Sequence, residues 1–146
     1  ELDVHQLNAA AAAFVGDLQQ IPPMVSAIKK GGVPLYKLAR QGVEVEREPR
    51  LIHIYQFKFD HYAAPDGSFR VKCTKGTYVR SLAHDLGEKL GCGAHLKDLR
   101  RTVSGQLNVA DAVPFEDLLQ FDDARLLSRV IPVLTLARQL ASAAVP

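Results

Sequence analysis

The stretch LIHIYQFKFDHY, Leu51 to Tyr62, alternates apolar and polar residues along its length. Leu51/Ile52, Ile54, Phe57 and Phe59 fall against His53, Gln56 and Lys58, the pattern of a strand with one buried face and one wet face. The next residues, APDGS, form a turn by composition. SFRVKCT then alternates again, so Leu51 to Thr74 is predicted to be a β-hairpin. After a Lys75-Gly76-Thr77 turn, Val79 to Leu90 places Val79, Leu82, Ala83, Leu86 and Leu90 at helical spacing, and Gly91 ends the run.

The remaining elements arrange themselves around this hairpin and helix. Val4 to Leu18 is predicted to be a helix with Asp3 as its N-cap, anchored by Leu7, Phe14 and Leu18 and weakened at its end by Gly16. Ile21-Pro22-Pro23 cannot continue a helix and is extended. Gly31-Gly32 breaks the chain, and Pro34 opens a short helix from Leu35 to Gln41 that Gly42 closes. Val43 to Arg50 has the alternation of an exposed strand, and Arg100 to Leu107 is predicted to be another strand. Pro114 takes the first turn of a helix, and helical stretches from Arg125 to Ala144 flank Pro132. With 146 residues and 47% hydrophobic content, the chain has enough apolar material for one core. The expected class is α+β, a mixed, largely antiparallel sheet flanked by helices, in a single unit 1–146 whose residues 122–146 form a helical tail.

Charge and cysteine use narrow the function. No apolar run reaches membrane-spanning length, and Ala9 to Val15 lacks the basic flank and cleavage site of a signal peptide. Cys73 and Cys92 stand far apart, as expected of a reduced cytoplasmic protein, one disulfide being the other reading; without clustered histidines they make no metal site. Between Gln20 and Gln106 fifteen Lys/Arg face eight Asp/Glu, whereas the flanks hold three against eight. A basic middle with acidic ends suits a polyanionic partner, and ordinary surface charge is the competing explanation. The chain begins at Glu1, which suggests a piece of something longer.

Most familiar catalytic signatures are absent. There is no Walker-type loop, no Gly-x-Gly-x-x-Gly and no paired-histidine metal spacing. GCGAH is expected to be a tight helix-to-strand connection with Cys92 in the interior. His5, His53, His61, His84 and His95 share no spacing that suggests a triad, and nothing local supports one built on Ser26. The strand-to-helix junction is different. Gly76 lets the backbone turn sharply, Tyr78 falls at the helix entrance and Arg80 follows two residues on. A ring and a guanidinium there can stack a base and hold a carboxylate or phosphate. The same residue types also suit a core tyrosine and an arginine in a surface pair.

Three ordered blocks carry a resemblance: Pro22-Pro23-x-x-Ser26-Ala27-x-Lys29, Gly32-x-x-Leu35-Tyr36-x-x-Ala39-Arg40-x-Gly42, and Lys75-Gly76-Thr77-Tyr78-x-Arg80. Together, from about Val4 to at least Leu119, they resemble the bacterial TruB-type tRNA pseudouridine synthases. The resemblance implies part of a pseudouridine synthase catalytic domain, its C-terminal half. It also implies an isomerase that needs no metal or organic cofactor, with the T-arm of tRNA as partner. Such an enzyme flips the T-loop uridine out of its stack, because a stacked base is out of reach. An aspartate then enables glycosidic cleavage, rotation of the uracil and re-attachment through C5. By this resemblance Tyr78 stacks on the target base and helps remove the C5 proton. Arg80 pairs with the catalytic aspartate, and Leu99 lines the uracil pocket. Lys29 and Arg40 fall in the RNA-meeting segment, and Lys75, Arg100 and Arg101 touch phosphates.

The sequence also departs from the family. The Gly-x-x-Asp-Pro block that carries the aspartate is absent, and Val25 stands where the family often has tyrosine. The 146 residues alone are therefore expected to be inactive and to need the N-terminal half of the catalytic domain. A sheet edge normally covered by that half is expected to promote self-association. The alternative is a non-catalytic RNA- or protein-binding module on the same scaffold.

Overall fold

The computed structural model describes residues 2–142, and side-chain surroundings are described as far as residue 138. The chain forms two compact units, one reaching to Lys97 and the other starting at Asp98. The architecture is α+β.

The first unit is built on a three-stranded antiparallel sheet. Helix α1 (Val4–Ala12) starts in a capping box. The Asp3 carboxylate accepts from the Gln6 N–H at 2.7 Å, and the Asp3 N–H donates to the Gln6 side chain at 3.0 Å. Strand β1 (Gly16–Gln20) follows. The predicted helix to Leu18 is therefore too long: it stops at Ala12, and Gly16 adopts φ 109, turning the chain into the sheet. β1 runs antiparallel to β4 (Arg50–Ala63), from Gly16 opposite Ile54 to Gln20 opposite Arg50. β4 pairs in turn with β5 (Asp66–Cys73), giving the order β1-β4-β5 and bearing out the predicted hairpin.

A register shift between Ile54 and Gln56 explains an oddity of the hydrophobic pattern. Ile52, Ile54, Phe57 and Phe59 are all buried although Ile54 and Phe57 are three apart, and the extra residue leaves Tyr55 exposed on the other face. Leu7 and Ala11 of α1 and Leu82 and Leu86 of α3 (Val79–Leu90) complete the core against the β4 side chains. Asn8 ties α1 to β4 by donating to the Phe59 carbonyl at 3.1 Å and accepting from the Phe59 N–H at 2.8 Å.

Between β1 and β4 lie a two-stranded ribbon, β2 (Lys29–Lys30) with β3 (Val33–Pro34), and helix α2 (Leu35–Arg40). Pro34 immediately precedes α2 rather than occupying its first turn. Val43 to Pro49 forms no strand, and Arg50 begins β4 instead. The alternation of Val43 and Val45 had no strand to pair with.

In the second unit the strand predicted over Arg100 to Leu107 is replaced by a short hairpin, β6 (Val103–Ser104) and β7 (Leu107–Asn108), because Gly105 at φ 60 turns the chain back. Helices α4 (Phe115–Leu118), α5 (Asp123–Arg129) and α6 (Val133–Ser142) follow, with Pro114 just outside α4. The predicted tail to residue 146 extends past the described residues. No described helix is long and apolar enough to cross a membrane.

Candidate active-site cleft

The junction between β5 and α3 presents its residues through local hydrogen bonding. Thr74 closes the end of the hairpin, its N–H donating to the His53 carbonyl at 2.9 Å and its hydroxyl accepting from the His53 N–H at 2.9 Å. Thr77 caps the turn by donating through its hydroxyl to the Thr74 carbonyl at 2.9 Å. Gly76 sits between them at φ 87, a conformation a side chain would strain. Tyr78 is the N-cap of α3, yet its own side chain makes no capping bond. Buried Gln20, the last residue of β1, reaches it instead. The Gln20 amide oxygen accepts from the Tyr78 N–H at 2.7 Å, and the amide nitrogen donates to the Tyr78 carbonyl at 3.1 Å.

Half-buried Tyr78 and exposed Arg80 line one open cleft of about 600 Å³. Its other walls come from Val25, Ser26 and Ala27 and from Tyr36, Ala39 and Arg40 of α2. The cleft thus gathers two guanidiniums and two phenols, and among the described residues no carboxylate lines it. Arg40 lies with its guanidinium carbon 5.5 Å from the Tyr36 ring centre. Ser26 is buried at the wall, and its Oγ has no hydrogen-bond partner among the described residues. A cavity that offers donors and aromatic faces without a competing anion suits an acceptor-rich, negatively charged, planar ligand.

Arg80 donates to the Val25 carbonyl at 2.8 Å. The same two residues also line a second cleft of about 590 Å³. The second cleft contains Pro22, Pro23, Met24, Arg47, His84 and Asp85 among its walls. Arg47 straps the proline segment by donating to the Pro22 carbonyl at 3.4 Å. Burial pushes the Asp85 carboxyl above the ordinary carboxylate range, partly opposed by neighbouring His84.

Among the sequence-predicted site residues, Tyr78, Arg80 and Arg40 meet in the first cleft. Lys29 is exposed in the ribbon, and Lys75 is exposed in the turn just before Tyr78. Leu99, Arg100 and Arg101 are exposed in the second unit. Sequence reasoning did not foresee Gln20, Tyr36 or the second cleft. Ser26 and Tyr36 did lie in the matched blocks, but Gln20 carried no signal beyond its place before a proline pair. Cys92, expected in the interior, is a free and exposed thiol, because the glycine-rich turn runs along the surface. No group of three or more His, Cys, Asp or Glu among the described residues could hold a metal ion.

Residues 1–79 match the model of the TruB family pseudouridylate synthase N-terminal domain, and residues 80–136 match that of the tRNA pseudouridylate synthase B C-terminal domain. The chain belongs to the TruB family. The two matches meet between Val79 and Arg80, inside the junction just described. This TruB-family chain is 52% identical over 128 residues to tRNA pseudouridine synthase B of Opitutus terrae, covering 88% of the chain and 53% of that relative. It is 46% identical over 140 residues to the protein of the same name from Dechloromonas aromatica, covering 96% of the chain and 47% of the relative. The chain therefore spans about half the length of these curated relatives. Among solved structures it resembles a chain of a Cbf5-Nop10-Gar1 complex, with TM-score 0.65 and 30% identity over 82% of this chain and 32% of that one.

Proposed function

We propose that this chain forms part of a tRNA pseudouridine synthase acting on the T-loop uridine, and that the Tyr78–Arg80 cleft receives the flipped nucleotide. One observation carries the reading: Tyr78, Arg80 and Arg40 line a single cleft, and among the described residues no carboxylate lines it. Extruded uracil offers a flat face for a tyrosine ring, and the phosphates beside it are acceptors for arginine.

The chemistry needs a carboxylate beside the sugar, and the family's Asp-Pro block is absent from this sequence. In this proposal the carboxylate comes from polypeptide outside these 146 residues. Among the described residues Arg80 donates to one neutral acceptor, the Val25 carbonyl. A carboxylate adds an opposite charge and a second acceptor oxygen that match the guanidinium fork, so Arg80 exchanges Val25 for the aspartate when the site assembles. The aspartate permits the glycosidic bond to break, the uracil turns, and C5 takes the place of N1 on the sugar as the C5 proton leaves and N1 takes up a proton. Lys29, Lys75, Leu99, Arg100 and Arg101 are RNA contacts in this proposal.

Binding at two or more salt concentrations tests it. A T-arm hairpin should bind more tightly than a hairpin of scrambled loop sequence, with the preference surviving as salt weakens both. Equal affinities with a steep shared salt dependence would favour a generic basic RNA-binding surface instead.

A further inference from the structure

We propose that Gln20 is a positioning residue for the cleft, acting through Tyr78; the inference rests on the function proposed above. In α1 the N-cap N–H is satisfied by Gln6 of the same helix. In α3 the equivalent N–H, that of Tyr78, is satisfied by Gln20, a side chain 58 residues away on β1. Its amide grips both ends of one residue, taking the Tyr78 N–H and donating to the Tyr78 carbonyl.

That carbonyl also accepts from the Ser81 and Leu82 N–H groups at 3.0 and 3.2 Å, so the same residue starts the hydrogen bonding of α3. Tyr78 has φ −97 and ψ 101, an extended backbone between a positive-φ glycine turn and a helix. The Tyr78 side chain makes no capping bond, and the point from which its ring enters the cleft is set by where the backbone is held. Gln20 is 6% exposed, so its two bonds are shielded from water. It connects the sheet, whose register is set by five β1–β4 pairs, to the one ring of the β5–α3 junction that lines the cleft. An uncharged amide both accepts and donates there, which an ionised carboxylate of the same length cannot do.

The test uses the 146-residue chain and a T-arm hairpin carrying 2-aminopurine at the target position, whose fluorescence falls when an aromatic ring stacks on it. Gln20→Met keeps the volume and removes both hydrogen bonds. It should weaken hairpin binding about tenfold and abolish most of the quenching. Combining it with Tyr78→Ala should add little to Tyr78→Ala alone, because both changes remove the same ring from the same place. Full quenching by Gln20→Met, or effects that simply add, would overturn the inference. A drop in melting temperature without loss of quenching would also overturn it, by making Gln20 structural only. If the unmutated chain bound the hairpin without quenching, the proposed function would fail, and Gln20 would have no site to position.

Discussion

Two side chains at the cleft carry opposite consequences for stability and binding. Ser26 buries a hydroxyl that finds no partner among the described residues, an arrangement that disfavours the folded state. Ser26→Ala should therefore raise stability by about 1 kcal/mol, read as a higher urea midpoint at unchanged slope. Arg80 is exposed and spends one hydrogen bond on a carbonyl, so its removal should leave stability nearly unchanged. Arg80→Lys keeps the charge but loses the planar fork that holds a carboxylate at two points. It should lower activity of the assembled enzyme by at least about a hundredfold while shifting the melting temperature little. A variant that melted far below wild type would mean that the Arg80–Val25 bond is structural.

Helix α3 shows how one element serves both core and site. Leu82 and Leu86 pack into the core, while His84 and Asp85 of the same helix line the second cleft. Gly87 is buried in its last turn, where alanine would ordinarily favour a helix by about 1 kcal/mol. Here an added methyl would run into the backbone of Gly93 and Ala94, which lies directly against it. Gly87→Ala should thus destabilise by about 1–3 kcal/mol, and a stabilised variant in chemical denaturation would contradict that packing.

The carboxylates on α3 and the hairpin have opposite pH signatures. The native pKa of Asp85 is raised, chiefly by burial, so its ionisation opposes folding. Its penalty is absent below about pH 4 and grows as pH rises through the raised native value. Asp60, held below the ordinary range by the two-point Arg70 bond, contributes stability above about pH 4 that is lost as pH falls through its lowered native value. Asp85→Asn should accordingly flatten the decline toward neutrality, and Asp60→Asn the decline toward acid, in unfolding midpoints measured across that range.

Legibility from sequence followed the range of the interactions. The hairpin was legible because alternation and turn chemistry are local, and α3 because five apolar residues recur at helical spacing. The switch from helix to strand after Ala12 was not, since Leu18 reads as a helical anchor until its pairing with Ile52 is known. Tyr78 and Arg80 stood out through neighbours in the chain. Gln20 did not, because its meaning depends on a partner 58 positions away.

At the scale of the molecule, the sheet order leaves β1 and β5 each with one edge that no described strand covers. Exposed strand edges invite pairing with another chain. The 146-residue chain should therefore self-associate with rising concentration, visible as increasing weight-average mass in light scattering. A constant monomer mass would argue that the edges are already blunted.

The most direct measurement uses a T-arm hairpin with tritium on C5 of the loop uridine, which any conversion to pseudouridine must release to water. The chain combined with polypeptide bearing the family's Gly-x-x-Asp-Pro block should release tritium, and either piece alone should not. Arg80→Ala in the combined enzyme should reduce release to background. Release by the 146 residues alone, or undiminished release after Arg80→Ala, would contradict the account.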